Sequence, residues 1–296
     1  MAEHAQKHGE GAHGAHGHHD HAHSVHEDEA GLAELLDLDA EVLGSYLDEA
    51  TEWAAQLAPD APRTIADLGA GTGVGTLALA RRFTAAEVIA VDVSEQMLER
   101  VGAAALAQGL GDRMRLVQAD MNEEWPPVGP LDLAWASSSV HELDHPDRLF
   151  RDVFSALNPD GLLVVVEMEN LPRFLPDDVG FGRPRLEIRA HEALSKVGWN
   201  PHQDWRPHLV RAGFEIVGER RFTSAVTAGA ADASGGPSKV ERYARSYLRR
   251  IRLVLDDQLA RDDLDTLDRL LADGALFVRG ELTARTERIA WAARRP

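Results

Sequence analysis

The sequence predicts an α/β domain: a mostly parallel sheet with helices on both faces, closed by an antiparallel C-terminal edge. Three observations carry that expectation. Short apolar runs alternate with longer amphipathic segments between residues 64 and 167; a glycine-rich turn follows the first run directly; and a composition of 44% hydrophobic and 27% charged residues over 296 positions allows one large core. Strand followed by helix, repeated, implies right-handed crossovers and hence parallel strands.

The elements follow in chain order. Residues 1–28 hold nine of the fourteen histidines, between His4 and His26, among Gly, Ala and acids. Such a segment has nothing with which to build a core and reads as a disordered His-rich tail ahead of a domain spanning 29–296. Imidazoles bind Zn, Ni or Cu, so this tail, and not the core, is the place for any metal. From Glu41, the positions Val42, Leu43, Tyr46, Leu47, Ala50, Trp53, Ala54 and Leu57 keep helical spacing until Pro59 and Pro62, giving an N-terminal cover helix. Strands are expected at Thr64 to Leu68, Glu87 to Val91, Met114 to Gln118, Leu131 to Ala136 and Leu162 to Glu167.

Beyond the fifth strand, residues 171–203, rich in Pro, Gly and Arg, read as an irregular insertion. Trp205 to Ala212 with Gly213 reads as a helix and its terminator, and Glu215 to Thr223 as a strand. A second insertion, about 227–276, opens with a Gly/Ala/Ser loop and continues with the helical stripe Val240, Tyr243, Tyr247, Leu248, Ile251, Val254 and Leu255. A further helix from Asp263 carries Leu264, Leu267, Leu270 and Leu271. The two insertions supply an inserted helical cap, and Glu287 to Ala293 is expected to pair at the sheet edge.

Charge narrows the partners. Thirty-one basic against forty-nine acidic residues give a net −18, a field that repels phosphate backbones and anionic membranes, so neither nucleic acid nor a membrane is expected as a partner. The arginines from Arg242 to Arg252 read as a solvated helix face. No run approaches the roughly 20 apolar residues of a membrane span, and the N-terminus has no apolar leader. With no cysteine there is no disulfide, thiolate nucleophile or Cys-ligated metal, which fits a cytoplasmic protein. A small molecule is the expected partner, and a homodimer is left open.

The informative stretch is Thr64-Ile-Ala-Asp-Leu-Gly-Ala-Gly-Thr-Gly-Val74. A buried strand runs straight into Gly69, Gly71 and Gly73, where backbone without Cβ atoms can approach a ligand, and a helix N-terminus opens behind. A nicotinamide or flavin fingerprint needs a third glycine where Val74 stands, and no Gly-Lys-Ser/Thr occurs for a phosphate loop. Asp92, nineteen residues after Gly73 at the end of the second strand, can accept both hydroxyls of a ribose. Asp120, in Val117-Gln-Ala-Asp-Met121, ends the third strand beside the same crevice and could accept from an adenine amino group. An adenosine-containing ligand is implied.

Taken in order, Asp67-x-Gly69-x-Gly71-x-Gly73, Asp92, Ala119-Asp120, Asp132 opening a strand that ends in Ser137, and Pro159-Asp160-Gly161 resemble the motifs of class I S-adenosylmethionine methyltransferases, over about residues 63–170. The resemblance implies a Rossmann-like sheet with S-adenosylmethionine as cofactor and S-adenosylhomocysteine as product. It implies that Gly69, Ala70, Gly71 and Gly73 hold the methionine part with Asp67 beneath its amino group. Asp92 would bind the ribose, Asp120 and Met121 the adenine, Val93 and Met97 would pack on the base, and Ser137 would add a backbone contact.

The loop after the fourth strand, Ser137-Ser-Ser-Val-His-Glu-Leu-Asp144, faces the methyl group in this family. It lacks the Asn/Asp-Pro-Pro-Tyr/Phe signature of enzymes that methylate adenine, cytosine or glutamine nitrogen, which points to a small metabolite methylated on O, N or C. His141 is either the catalytic base, as its pKa suits, or the residue that orders the loop before a helix capped by Asp144. Tyr46, Ser138, His141 and Arg183 are the candidates for acceptor contact, Arg183 through a carboxylate. Fold and cofactor do not fix chemistry, so a different reaction on the same cofactor, or a sensor or metal-handling role through the tail, stands as the alternative.

Overall fold

A computed structural model of the chain describes residues 29–59, 61–199, 203–229, 236–273 and 282–296. The His-rich tail lies outside the described residues. Two helices, α1 (Glu29–Leu43) and α2 (Tyr46–Leu57), precede β1 (Thr64–Leu68). Then come α3 (Val74–Arg82), β2 (Glu87–Asp92), α4 (Glu95–Ala107), β3 (Met114–Gln118), β4 (Leu131–Ser137), α5 (Pro146–Ala156) and β5 (Leu157–Met168). The C-terminal part supplies α6 (Leu186–Lys196), α7 (Arg206–Ala212), β6 (Glu215–Thr227), α8 (Lys239–Val254), α9 (Arg261–Asp273) and β7 (Thr283–Arg294).

The strands form one sheet in the order β3-β2-β1-β4-β5-β7-β6. All neighbours from β3 to β5 run parallel, while β7 is antiparallel to both β5 and β6. The expected class therefore holds. The expected place of the last strand does not, because β7 lies inside the sheet and β6 forms the edge. The reason is legible in retrospect: Ile289 to Ala293 is an unbroken buried run, as an interior strand covered on both faces requires.

The single cover helix expected from Glu41 is two helices. The chain turns at Gly44, where a Cβ would come within 2.2 Å of the Ala40 carbonyl oxygen, so only glycine fits there. The insertion 171–203, expected to be irregular, contains α6. Its N-terminal approach is fixed by Glu187, a buried carboxylate that accepts from the Phe174 and Leu175 amides at 2.9 and 3.0 Å and whose pKa burial raises to about 7. Asp144 does not cap α5. His145 occupies that position without a side-chain cap bond, and the Asp144 amide donates instead to Asn122.

Three packed layers result. One face of the sheet (Ala66, Leu68, Leu163, Val165, Trp291) packs on α5 and α7 through Phe150, Val153, Trp205 and Leu209. The other face (Ile65, Leu133, Trp135, Val164, Ala290) packs on α2 and α3 through Tyr46, Leu47, Ala50 and Leu79. A separate cluster joins α1, α6, α8 and α9 through Leu43, Phe174, Leu194, Tyr247, Ile251 and Leu267, forming the cap. Helix α8 starts with a full capping box, Ser238 and Glu241 each bonding the other's backbone amide, an arrangement in which the N-cap alone is worth about 1 kcal/mol. Among the described residues no helix is long and apolar enough to cross a membrane.

Candidate functional site

The strand order reverses between β1 and β4, so the loops leaving their carboxyl ends part and open a crevice. The glycine turn fills one side of it. The Gly69 and Ala70 amides both donate to the Val91 carbonyl at 2.9 Å, and the Gly73 amide closes the turn on Ala70. Gly69, Gly71 and Gly73 have φ of +81°, +52° and +87°. A Cβ on Gly69 would lie 2.4 Å from Ser139 Cβ, and Ser139 Oγ itself donates to the Leu68 carbonyl at 2.7 Å. Turn and β4 loop are thus locked together.

Three carboxylates line the ends of β1, β2 and β3. Asp67 is 2% exposed and accepts from Thr76 Oγ1 at 2.6 Å. Burial raises its pKa to about 7; the Thr76 hydrogen bond opposes this and the Asp92 charge adds to it. Asp92 accepts from the Gly71 amide through Oδ2 at 2.8 Å and from the Ser94 amide through Oδ1 at 2.9 Å. The same carboxylate that could meet a ribose therefore also ties β2 to the glycine turn. Asp120 is held by the Asn122 amide at 2.8 Å, and Arg148 donates to the Met121 carbonyl. Val93 is 61% exposed at the crevice, whereas Met97 is buried. Ala70 is buried beside them, and α1 lies over the turn, with Leu36 Cδ1 3.4 Å from where a Gly71 Cβ would stand.

This cradle suits an adenosyl sulfonium. Glycines at positive φ, without Cβ atoms, let backbone approach a ligand closely, and a carboxylate at the end of β2 would meet a cationic sulfonium and ammonium favourably, whereas a dinucleotide pyrophosphate would bring negative charge against Asp92.

On the acceptor side the expected residues separate onto opposite faces of the sheet. Tyr46 and Ser137 come together, with their oxygens 3.5 Å apart, and Ser138, at φ +53°, accepts from Arg288 Nη1 at 3.0 Å. His141 lies on the other face and lines a cavity of about 360 Å³ with Glu167, Trp205, Arg206, Arg221 and Trp291. Its Nδ1 is 2.8 Å from Glu167 and its Nε2 3.2 Å from Glu142. Burial alone would lower its pKa, but the hydrogen bonds to Glu142 and Glu167 and their charges outweigh that and raise it to about 10. The imidazole is thereby held toward its protonated form, and the carboxylates on both its nitrogens support the loop-ordering reading of His141 over the catalytic one. Glu167 completes that role by accepting from the Val140 amide at 3.1 Å.

Arg183 is also placed away from the crevice. With Arg189 it pairs with Asp263, a carboxylate 1% exposed, at 2.5 and 2.7 Å, and so ties α6 and the segment before it to α9 within the cap. Among the described residues no group of three or more His, Asp or Glu could hold a metal ion. Sequence reasoning missed Asp39, Thr76, Glu167, Tyr243 and Arg288. For Arg288 a signal existed: it precedes Ala290 and Ala292 by steps of two, so strand alternation puts a charge on a buried face.

The chain is similar to known methyltransferases. A family model described as a methyltransferase domain matches residues 65–161. Trans-aconitate 2-methyltransferase of Yersinia pseudotuberculosis is 37% identical over 165 residues, 55% of this chain and 54% of the relative. Malonyl-[acyl-carrier protein] O-methyltransferase of Methylovorus is 33% identical over 107 residues, 35% of this chain and 36% of the relative. The chain spans about half the length of the trans-aconitate relative and about a third of the malonyl relative. A solved Bacillus halodurans protein assigned to the methyltransferases superposes with a TM-score of 0.52 at 17% identity, covering 83% of this chain and 97% of the other, a likeness of fold.

Proposed function

We propose that the chain carries a class I S-adenosylmethionine-dependent methyltransferase domain and transfers a methyl group from S-adenosylmethionine to a small-molecule metabolite, a reading that the matched methyltransferase-domain family model and the methyltransferase relatives support. When bound, the cofactor supplies a sulfonium methyl: the acceptor's nucleophilic atom bonds to that carbon as the S–CH3 bond breaks, and the electron pair returns to sulfur, giving S-adenosylhomocysteine.

The observation that carries the reading is the locked cradle of Gly69, Gly71 and Gly73 with Asp67, Asp92 and Asp120 around it. In it Asp92, its oxygens fixed by two backbone amides, would hold the ribose hydroxyls, Asp120 and Met121 would border the adenine, Val93 would offer an apolar face to the base, and Ser137 would close the methyl end. The chain's own part in the reaction is alignment and exclusion of water, for which α1 over the glycine turn and the cap of α6, α8 and α9 provide the covers. With the His141 imidazole held toward its protonated form by Glu142 and Glu167, the reading favours an acceptor atom that arrives already ionised, and oxygen is the first atom to test. The relatives named for trans-aconitate and for O-methylation of a malonyl group support the same choice.

The test is incubation of the full chain with methyl-labelled S-adenosylmethionine and trans-aconitate, malonate or citrate. Label should enter a base-labile ester together with formation of S-adenosylhomocysteine. Release of S-adenosylhomocysteine no faster than without acceptor, across such acids, phenols and amines, would overturn the reading.

A further inference from the structure

A buried polar cluster lies on the α2 face at the carboxyl end of β4, beside the β4 loop, and the cofactor cradle does not account for it. Its centre is Arg288 of β7, 2% exposed, paired across the sheet with Met168 and Phe222. Arg288 Nη1 donates to Ser138 Oγ at 3.0 Å and Nη2 to Asp39 Oδ2 at 2.6 Å, while its guanidinium carbon stands 4.5 Å from the centre of the Tyr46 ring. Asp39, on α1, takes a second bond on Oδ1 from the Tyr243 hydroxyl at 2.6 Å. Arg288 Nε is buried and has no partner.

Three features of this cluster point to a ligand. A guanidinium is a five-donor fork suited to bidentate carboxylate binding, yet Asp39 meets it through a single oxygen and leaves Nε unmet, a costly state for a buried charged group. The neighbours that fix the fork, Ser138 and Tyr46, belong to the loop and helix bordering the methyl end, and Tyr46 feels the charge of Asp67 in the cofactor cradle. Finally, Asp39 is carried not by the sheet but by α1, the helix that also covers the glycine turn. Lifting α1 to admit ligands would withdraw Asp39 and leave Arg288 on the sheet without its paired carboxylate, with only the more distant charge of Glu167 acting on it.

We propose that Arg288 anchors the methyl acceptor by binding one of its carboxylates in the position that Asp39 holds in this structure, so that the acceptor is an organic acid. Asp39 then acts as a stand-in for the acceptor's carboxylate, keeping the guanidinium neutralised while α1 is closed. This inference rests on the proposed methyltransferase reading and names its substrate class.

The experiment is calorimetric titration of the full chain, saturated with S-adenosylhomocysteine, with tricarballylate and succinate and with succinamide as the neutral counterpart. The acids should bind and the amide should not. Arg288→Gln should weaken acid binding by about tenfold to a hundredfold, the range of one or two lost charge-assisted hydrogen bonds, and Arg288→Lys, which keeps charge but loses the fork, by less. Asp39→Asn should act in the opposite sense and tighten acid binding several-fold, because the competitor is gone. A merely structural ion pair would destabilise both variants and move acid affinity in neither. Equal acid affinity in the parent and Arg288→Gln, amide binding as tight as acid binding, or no response to either acid with S-adenosylhomocysteine bound would overturn the proposal. Failure of S-adenosylhomocysteine itself to bind the parent would instead strike the methyltransferase reading.

Discussion

The two halves of the crevice are built on different principles. The cofactor half is made of contiguous turns at the ends of β1, β2 and β3, where each functional residue lies in the last two positions of its strand or within five residues after it. The acceptor half is assembled from Asp39, Tyr46, Ser138, Tyr243 and Arg288, which span 249 positions between Asp39 and Arg288 and meet only because β7 inserts between β5 and β6. Local backbone geometry dictates the first. The second depends on topology and on long-range pairing, and its chemistry can vary without touching the cradle.

If that contrast holds, substitutions in the cradle act through backbone geometry and should be severe. The largest effect is expected for Gly69→Val. It combines strain at φ +81° with a Cβ 2.4 Å from Ser139, and the two together should cost about 2 to 6 kcal/mol of stability, from terms of about 1 to 3 each. Denaturant melts should register that loss, and S-adenosylhomocysteine binding should vanish. Retained binding with a near-parental midpoint would mean that the turn is not the rigid cradle described.

A smaller effect is expected for Asp92→Ala. Affinity for S-adenosylhomocysteine should fall at least about tenfold, since charge-assisted hydrogen bonds are worth roughly 1.5 to 3 kcal/mol each. The sequence alone suggests that this change spares the fold. The bonds from the Gly71 and Ser94 amides say otherwise, and the ligand-free variant should also lose about 1 to 2 kcal/mol. An unchanged ligand affinity would detach Asp92 from the ribose.

The smallest effect on the cofactor, less than about twofold in affinity, is expected for His141→Gln, which lies on the far face of the sheet. Its signature is in the pH dependence of stability. A folded-state pKa raised from 6.5 to about 10 gives stabilisation that is fully present below pH 6.5 and lost as pH rises through 10. Thermal melts should therefore separate parent from variant at pH 6 and bring them together above pH 10. A constant gap across that window would show that the imidazole is neutral in the fold.

The same contrast explains what was legible beforehand. The parallel strands and the residues from Asp67 to Ser137 could be read because apolar runs and glycines act locally. The break at Gly44 lies within one continuous apolar periodicity, while helix α6 does carry a helical stripe, Leu186, Ala190, Ala193 and Leu194, that the Pro- and Gly-rich residues before it obscure. Arg183 was attractive as an unpaired cation only because its partner, Asp263, is 80 residues away. His141 carried the right side chain, but its charge state is set by Glu167, 26 residues on, at the end of another strand.

The measurement that bears most directly on the central claim is calorimetric titration of the full chain with S-adenosylhomocysteine and, separately, with NAD. The cradle of Gly69, Gly71 and Gly73, with Val74 where a dinucleotide site needs glycine and acids where a pyrophosphate would lie, predicts a dissociation constant on the order of micromolar for S-adenosylhomocysteine and no measurable heat with NAD. Micromolar binding of NAD with no response to S-adenosylhomocysteine would contradict it.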